Sequence, residues 1–420
     1  MNTWFERLGC IALGLSFSIQ AMAGVPAWDL NDVSILLALP EGGADAMPLH
    51  LSPNERSAQG ELLPEAVYGL LPTLYQPGKG NASLYRDSLR VTAVRVDPCP
   101  ANSVGACAAE LRLVWQPVEF DVTQQRWVAR DAAVHCVYGL SDRTLDTLLD
   151  GLWRLKREVA TQGVDTRGAS LGVHPASRDP RTAEAFAERL RALVLQHAGT
   201  ANLRRVTFTA LLVPTKWWRF GALQRDDEGT WRVLEIPRVD APQVDVFNVA
   251  VADGVDLGAE RGMDAIFNVL PDEYPAADNL FTVINKGFRF NDARDLPEFE
   301  RKLDALARFR NPLRTHVDNL DCASCHFADA ARFYVRNRFP ELDARESVDT
   351  FRNPDPERFD LANATLATRS ARTVRAFGFQ GADPAISQRT INESAAAAHW
   401  LNRHMPGASG TSTGVLARAD

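Results

Sequence analysis

Three chemically active side chains stand close together in this chain: Cys322, Cys325 and His326. On a helix, thiols three positions apart lie on one face, and the histidine follows on the same turn. With 6 Cys and 8 His in 420 residues, chance would produce this C-x-x-C-H spacing roughly once in 600 chains of the same composition. The spacing is that of covalent haem attachment, in which the thiols bond the haem vinyl groups and the histidine binds iron.

Two other chemistries use a Cys-x-x-Cys pair, and the surrounding sequence favours neither. A structural zinc site needs a second pair of ligands, and no other closely spaced Cys pair supplies one. A thioredoxin-like dithiol follows a strand and opens a helix in a βαβ unit, whereas here the polar stretch 318–321 precedes the motif. We therefore expect haem at this site.

The first 23 residues have the pattern of a cleavable export signal. Met1–Arg7 form a short charged region, Leu8–Ile19 form an apolar stretch, and Ala21–Ala23 supply a small-x-small cleavage site. The apolar stretch is shorter than the ~20 residues that span a bilayer, and no later segment is long and apolar enough. We predict a signal peptide over 1–23, no membrane span in the mature chain, and a periplasmic or secreted location, where covalent haem attachment is normally completed.

Composition limits the partners and the number of domains. The net charge of −7 argues against binding to nucleic acid or to an anionic membrane surface. A mature chain of about 400 residues exceeds the usual size of a single core, so two or three domains are expected.

The remaining cysteines are consistent with an oxidising compartment. Cys99 and Cys107 flank a short loop and are candidates for a disulfide. Cys136 lies in an apolar run and is interpreted as a buried, inert thiol. Pairing of Cys136 with Cys99 or Cys107 stays open, because sequence does not fix disulfide connectivity.

The region from 24 to 295 is predicted to be an α+β domain, or two such domains, of unknown function. Alternating patterns predict antiparallel strands, and 3.6-residue periodicity predicts two helices between them. The predicted strands are Leu89–Val96, Glu110–Trp115, Trp127–Leu140, Val206–Val213, Trp217–Gln224 and Trp231–Ile236, and the helices start at Ser141 or Asp142 and at Asp179–Pro180. No phosphate-binding loop, nucleophile elbow or zinc-protease motif is present.

The region from 296 to 406 is predicted to be a small, mostly helical haem domain. Apolar spacing predicts helices over Leu296–Phe309 and Ile386–Asn402, and Phe327–Arg338 should continue the helix that carries the attachment motif. The stretch 407–420 is small and polar and reads as a disordered tail.

The segment from about 311 to 406 resembles a single-haem c-type cytochrome domain, on the strength of Cys322, Cys325 and His326. The resemblance covers less than a quarter of the chain. It implies one covalent haem c, thioether bonds at the two cysteines, and His326 as the proximal iron ligand.

The second axial ligand of the iron stays open at this level. Met405, followed by a proline, is the first candidate, and His404, His399 and His316 are alternatives. Apart from these candidates, the N-terminal region contains His135 and His174, which could be metal ligands, although a lone histidine is more often structural. Arg369, Arg372 and Arg375 fall where they could cover the distal face, but the simplest interpretation is that they are solvated.

Function depends on that ligand. A filled sixth position suits electron transfer with a redox partner protein, which is our leading hypothesis. An open position would permit a peroxidase-type enzyme, or a sensor of redox state or of a gas.

Overall fold

The structure is a computed structural model, and it is described over two thirds of the chain. The described residues are 27–43, 50–71, 86–98, 108–212, 217–234, 245–248, 296–315, 320, 322–338, 340, 347–369 and 373–405. The predicted signal peptide, Cys99, Cys107 and the predicted tail lie outside these residues.

A nine-stranded antiparallel sheet dominates the described part of the chain. The strands are β1 Ser34–Leu36, β4 Leu89–Asp97, β5 Glu110–Asp121, β6 Arg126–Ala129, β7 Ala132–Gly139, β8 Leu203–Leu212, β9 Trp217–Arg225, β10 Trp231–Val233 and β11 Asp245–Asn248. The main path of the sheet runs β1-β4-β5-β7-β8-β9-β10, with β6 paired to β5 and β11 paired to β9. Two short strands, β2 Arg56–Ser57 and β3 Gly60–Glu61, form a separate hairpin.

The helices and the last hairpin complete the fold. The helices are α1 Leu30–Val33, α2 Glu65–Tyr68, α3 Asp142–Thr161, α4 Pro175–Arg178, α5 Ala183–His197, α6 Leu296–Phe309, α7 Cys322–Arg338 and α8 Gln388–His404; the hairpin strands are β12 Phe377–Gln380 and β13 Asp383–Ile386. The α+β class predicted from the sequence is confirmed. None of the helices in the described ranges has the length and apolarity needed to cross a bilayer.

Helix α3 follows directly from its sequence pattern. Leu145, Leu148, Leu152 and Leu155 are all buried on one face, as the 3.6-residue period requires. The Ser141 hydroxyl accepts a hydrogen bond from the Thr144 N–H at 3.3 Å and caps the first turn. The predicted cap and apolar face are therefore confirmed.

The start of helix α5 differs from the prediction. Asp179 ends the short helix α4, and α5 begins only at Ala183, after Thr182. The Thr182 hydroxyl donates to the Ala176 carbonyl at 2.7 Å, which turns the chain between the two helices. Asp179 and Pro180 thus belong to the turn, because a bond to the preceding helix competes with the local capping signal.

One face of the sheet carries the C-terminal segment. Strand register places Ser34, Arg95, Gln116 and His135 on this face, since paired residues in an antiparallel ladder point the same way. The Ser34 and Ser394 hydroxyls lie 2.7 Å apart, which joins β1 to α8. Helix α7 lies over β9 at the opposite side of this face.

The β12–β13 hairpin was not predicted, and a buried glutamine on the sheet fixes it. The Gln116 amide donates to the Phe379 carbonyl at 2.9 Å and its oxygen accepts from the Phe379 N–H at 2.8 Å. A Cβ at Gly378 would come within 2.3 Å of the Gln116 oxygen. Glycine is therefore required at 378, because the hairpin backbone approaches the sheet so closely.

Candidate functional site

Helix α7 begins at the C-x-x-C-H motif. The structure starts the helix at Cys322 and carries it to Arg338, so both cysteines and His326 occupy its first turns. Cys322 and Cys325 are half-buried thiols, and no disulfide joins them. The spacing of three residues brings the two thiols to one face of the helix, as the sequence predicted.

The His326 ring has a defined proton position. Its Nδ1 atom lies 2.7 Å from the backbone carbonyl oxygen of Val374. A carbonyl oxygen can only accept, so Nδ1 donates its hydrogen and the lone pair is left on Nε2. Metal-bound histidines hold their second ring nitrogen in this way, with an N–H donated to a carbonyl or a carboxylate.

The segment that supplies this carbonyl is itself fixed. The guanidinium of Arg375, 3% exposed, pairs with Asp131 just before β7 and donates to the Phe379 carbonyl at 3.3 Å. The Ala376 carbonyl accepts from the Ser387 N–H at 2.8 Å. The interpretation of Arg375 as solvated is therefore wrong, since the residue is buried at the site; Arg369 is exposed, and Arg372 lies outside the described residues.

Helix α7 is held at its second turn by α8. The Asp329 carboxylate accepts a hydrogen bond from the Gln388 N–H at 2.6 Å, at the N-terminus of α8. Its other oxygen lies 3.0 Å from Arg310 Nε. A carboxylate at a helix N-terminus is favoured by both the unpaired N–H groups and the helix dipole.

Arg389 of α8 fixes the chain that leads into the motif. Its guanidinium, on a residue 7% exposed, donates to the Phe309 carbonyl at 3.0 Å and to the Thr315 carbonyl at 2.7 Å. The Phe309 carbonyl lies at the end of α6, where a helix leaves its last carbonyls without partners, and the Thr315 carbonyl lies further along the chain toward the motif. The approach to the motif is thus determined by α8 and not only by local sequence.

Two rings on the sheet face the His326 ring. Phe220 of β9 lies with its ring centre 5.2 Å from that of His326, and it also contacts Phe327 at 5.9 Å. His135 of β7 lies with its ring centre 6.3 Å from that of His326, the planes inclined by 53°. The site therefore combines the first turns of α7 with side chains from two central strands.

Burial keeps both histidine rings neutral. Desolvation lowers the pKa of His326 to about 4; the Val374 carbonyl acts against this shift, and the charge of Arg375 adds to it. Desolvation also lowers the pKa of His135 to about 3, followed by the effects of His326, Arg112, Arg95 and Arg375. A neutral imidazole carries the lone pair that binds a metal, so both rings are in the ligating state at neutral pH.

The structure does not bring the first candidate for the second ligand to His326. Helix α8 has 17 residues, so Met405, which follows its end, lies about 25 Å along the axis from Gln388. Gln388 is the end that contacts α7, through Asp329. Met405 instead packs against the main core.

The histidine alternatives are placed as follows. His404 is exposed at the same far end of α8, with its ring stacked on Trp400 at 4.5 Å. His399 is half-buried on α8, about 16 Å along the axis from Gln388. His316 lies outside the described residues.

Two further residues considered in the sequence have structural roles. Cys136 is fully buried, and desolvation raises the pKa of its thiol to about 12, as expected for an inert core thiol. His174 caps the short helix α4: its Nδ1 accepts from the Ala176 N–H at 3.1 Å.

The side chains at the start of α7 fit a covalent haem better than a zinc ion. The two thiols share a face, and the histidine presents a neutral Nε2 with its other nitrogen already bonded to Val374. Within the described ranges, no three histidine, cysteine or acidic side chains converge as a metal-ion cluster, whereas zinc takes four ligands in structural sites.

Sequence reasoning missed the residues that orient His326. The Val374 carbonyl carries no sequence signal, because every residue has a carbonyl group. The Asp131–Arg375 pair and the Phe220 contact join positions far apart in the chain, and only the packing of the C-terminal segment on the sheet shows them. The sequence identified His135 as a lone histidine, but it did not predict that His135 lies beside His326.

Comparison with known proteins adds no relative. No protein-family model matches the chain, and neither the curated proteins nor the solved structures contain a match.

Proposed function

We propose that the chain is an exported c-type haem protein that transfers electrons to or from a redox partner protein. Cys322 and Cys325 hold one haem by thioether bonds, and His326 Nε2 is the proximal ligand. The observation that carries the proposal is the hydrogen bond from His326 Nδ1 to the Val374 carbonyl at 2.7 Å, on the same helical turns as the two thiols. A haem held here supplies reversible one-electron chemistry.

The side chains around the site orient the His326 ring and exclude water from it. The Val374 carbonyl fixes the tautomer and the direction of the His326 ring. Hydrogen bonding at Nδ1 makes Nε2 a stronger electron-pair donor to a metal. Phe220, 1% exposed, covers one side of the His326 ring. A low dielectric around the site and a fixed proximal ligand both influence the reduction potential of a bound haem.

Location and partner follow from the same proposal. The predicted signal peptide over 1–23 sends the chain to the periplasm, or out of the cell, where thioether attachment is completed. The net charge of −7 favours a partner with a basic docking surface, because complementary charge speeds association.

The proposal is tested by producing the full chain with a haem-attachment system. We expect the intact mass to increase by one haem and the reduced protein to show the absorption bands of haem c. The double substitution Cys322→Ala, Cys325→Ala should abolish the added mass. The matched control is Cys136→Ala, which removes a thiol from the core and should keep the haem.

The same sample separates electron transfer from the alternatives. A reduced spectrum that carbon monoxide does not change means a protein-filled sixth site and supports electron transfer. A clear spectral shift would contradict electron transfer and support the peroxidase or sensor function. A chain that carries no covalent haem contradicts the whole proposal.

A further inference from the structure

His135 and His326 stand at the separation that one shared metal atom requires. A metal bonded at about 2 Å to one nitrogen of each of two imidazoles on opposite sides of it holds the two ring centres roughly 6 Å apart. The measured separation of the ring centres is 6.3 Å. Two rings stacked in direct contact lie closer, as in the His174–Phe186 pair at 4.3 Å, whereas inclined rings that pack without a metal reach 5.9 Å, as Phe220 and Phe327 do.

His135 is held on a rigid part of the fold. It lies within β7, paired with Val114 of β5 on one side and with Thr207 of β8 on the other. A ligand on a central strand keeps its position better than one on a loop. Its register places it on the face that carries α7, so its side chain projects toward the motif and not into the opposite core.

The position of His326 is set by contacts that do not involve the His135 side chain. The Val374 carbonyl, the Asp131–Arg375 pair and the contact of Asp329 with α8 fix α7 over the sheet. Because contacts between distant segments bring the two rings within 6.3 Å of each other, the pairing is a property of the tertiary fold. It does not follow from local sequence around either histidine.

We infer that His135 is the second axial ligand of the iron that His326 holds, which makes the centre a bis-histidine haem. The inference rests on the proposed haem site and adds to it the residue that fills the second axial position of the iron. Two imidazoles fill both axial positions and give a lower potential than a histidine–methionine pair. The iron would thereby link the sheet of the N-terminal region to the helix that carries the covalent bonds.

The first test is the substitution His135→Ala in the haem-loaded full chain. The wild-type reduced spectrum should not change with carbon monoxide, whereas the variant should bind an equimolar amount. Added imidazole should restore the wild-type spectrum, because it replaces the missing ligand. The matched controls are His399→Ala, His404→Ala and Met405→Leu, which should all exclude carbon monoxide as the wild type does.

The identity of the ligand has its own readout. His135→Met replaces an imidazole by a thioether and should raise the reduction potential, provided that the sulfur binds. On the unaltered protein, electron–nuclear double resonance with ¹⁵N-histidine should detect two coordinated imidazole nitrogens. This measurement does not depend on whether a His135 variant folds.

The outcomes separate this inference from the haem proposal. Absence of covalent haem in the wild type contradicts both. A haem-loaded wild type with only one coordinated imidazole overturns the role of His135 and leaves the attachment site standing. The role of His135 is also overturned if His135→Ala excludes carbon monoxide while Met405→Leu or His399→Ala admits it.

Discussion

At the scale of single residues, burial sets the chemistry of the histidines. His326 and His135 are kept neutral by desolvation at the site, and His174 is kept neutral in the core, with its pKa lowered to about 3 by burial and then by Lys156. The three residues share one physical cause. The site histidines differ from His174 in facing each other, whereas the His174 ring stacks on Phe186.

His174 should make the free energy of unfolding sensitive to acid. Its folded pKa of about 3 lies below the ordinary value of 6.5, so between these values the unfolded chain binds a proton that the folded protein does not. Stability is therefore complete above about pH 6.5 and falls as the pH decreases, by about 1.4 kcal/mol per pH unit for one such group.

Urea unfolding between about pH 7.5 and pH 5 checks this effect, given the ordinary pKa of 6.5. His174→Asn keeps a hydrogen-bond acceptor at the helix cap but removes the titration, so below about pH 6 its pH slope should be smaller by up to about 1.4 kcal/mol per unit. His404→Asn changes an exposed histidine and should leave the slope as in the wild type. Equal slopes in the wild type and His174→Asn would contradict the prediction.

At the scale of elements, capping and periodicity explain the helices that the sequence predicted correctly. Ser141 caps α3, and Ser387 caps α8 by accepting from the Thr390 N–H at 3.2 Å. These signals are local, since the capping hydroxyl and the backbone N–H that donates to it lie three residues apart. The start of α5 was misplaced because Thr182 bonds to the preceding helix, which a local pattern does not reveal.

Removing the cap of α3 should destabilise the protein slightly. Ser141→Ala loses the acceptor for the Thr144 N–H and should lower the free energy of unfolding by about 1 kcal/mol. Ser141→Asp keeps an acceptor and adds a favourable charge at the helix N-terminus, so it should match or exceed the wild type. Urea unfolding measures both, and equal values for the two variants would exclude a capping role.

At the scale of the whole molecule, buried charges join α8 to the sheet. Glu393 pairs with Arg95 of β4 and with Arg389 of its own helix, the latter at 2.7 Å. Burial by itself raises the pKa of Glu393, but Arg95, Arg389 and Arg112 outweigh this effect and hold the pKa well below its usual range. The carboxylate therefore compensates arginines from two parts of the chain, one of which also fixes the approach to the motif.

Loss of this carboxylate should be much more costly than loss of a surface charge. Glu393→Gln removes the nearer of the two carboxylates beside Arg95, whose side chain is 4% exposed, and leaves only Asp97 at 3.7 Å; it should lower the free energy of unfolding by about 3 kcal/mol.

The control is Asp165→Asn, which breaks the exposed Arg167–Asp165 pair and should cost less than about 1 kcal/mol. Urea unfolding at neutral pH compares the two, and similar losses would show that the buried pair contributes no more than the exposed one.

The sequence by itself determined the features that depend on neighbouring residues. The C-x-x-C-H spacing, the apolar face and cap of α3 and the alternation of β4 each lie within a few positions, where covalent geometry fixes which side chains share a face. Only the tertiary structure determined which side chains and backbone groups contact the motif. The contacts of His326 with Val374, Phe220 and His135 join distant segments, and they exist because α8 and Asp131 hold the C-terminal segment against the sheet. The sequence offered Met405, His404, His399 and His316 as candidates for the second ligand; the fold instead brings the ring of His135, noted only as a lone histidine, near that of His326.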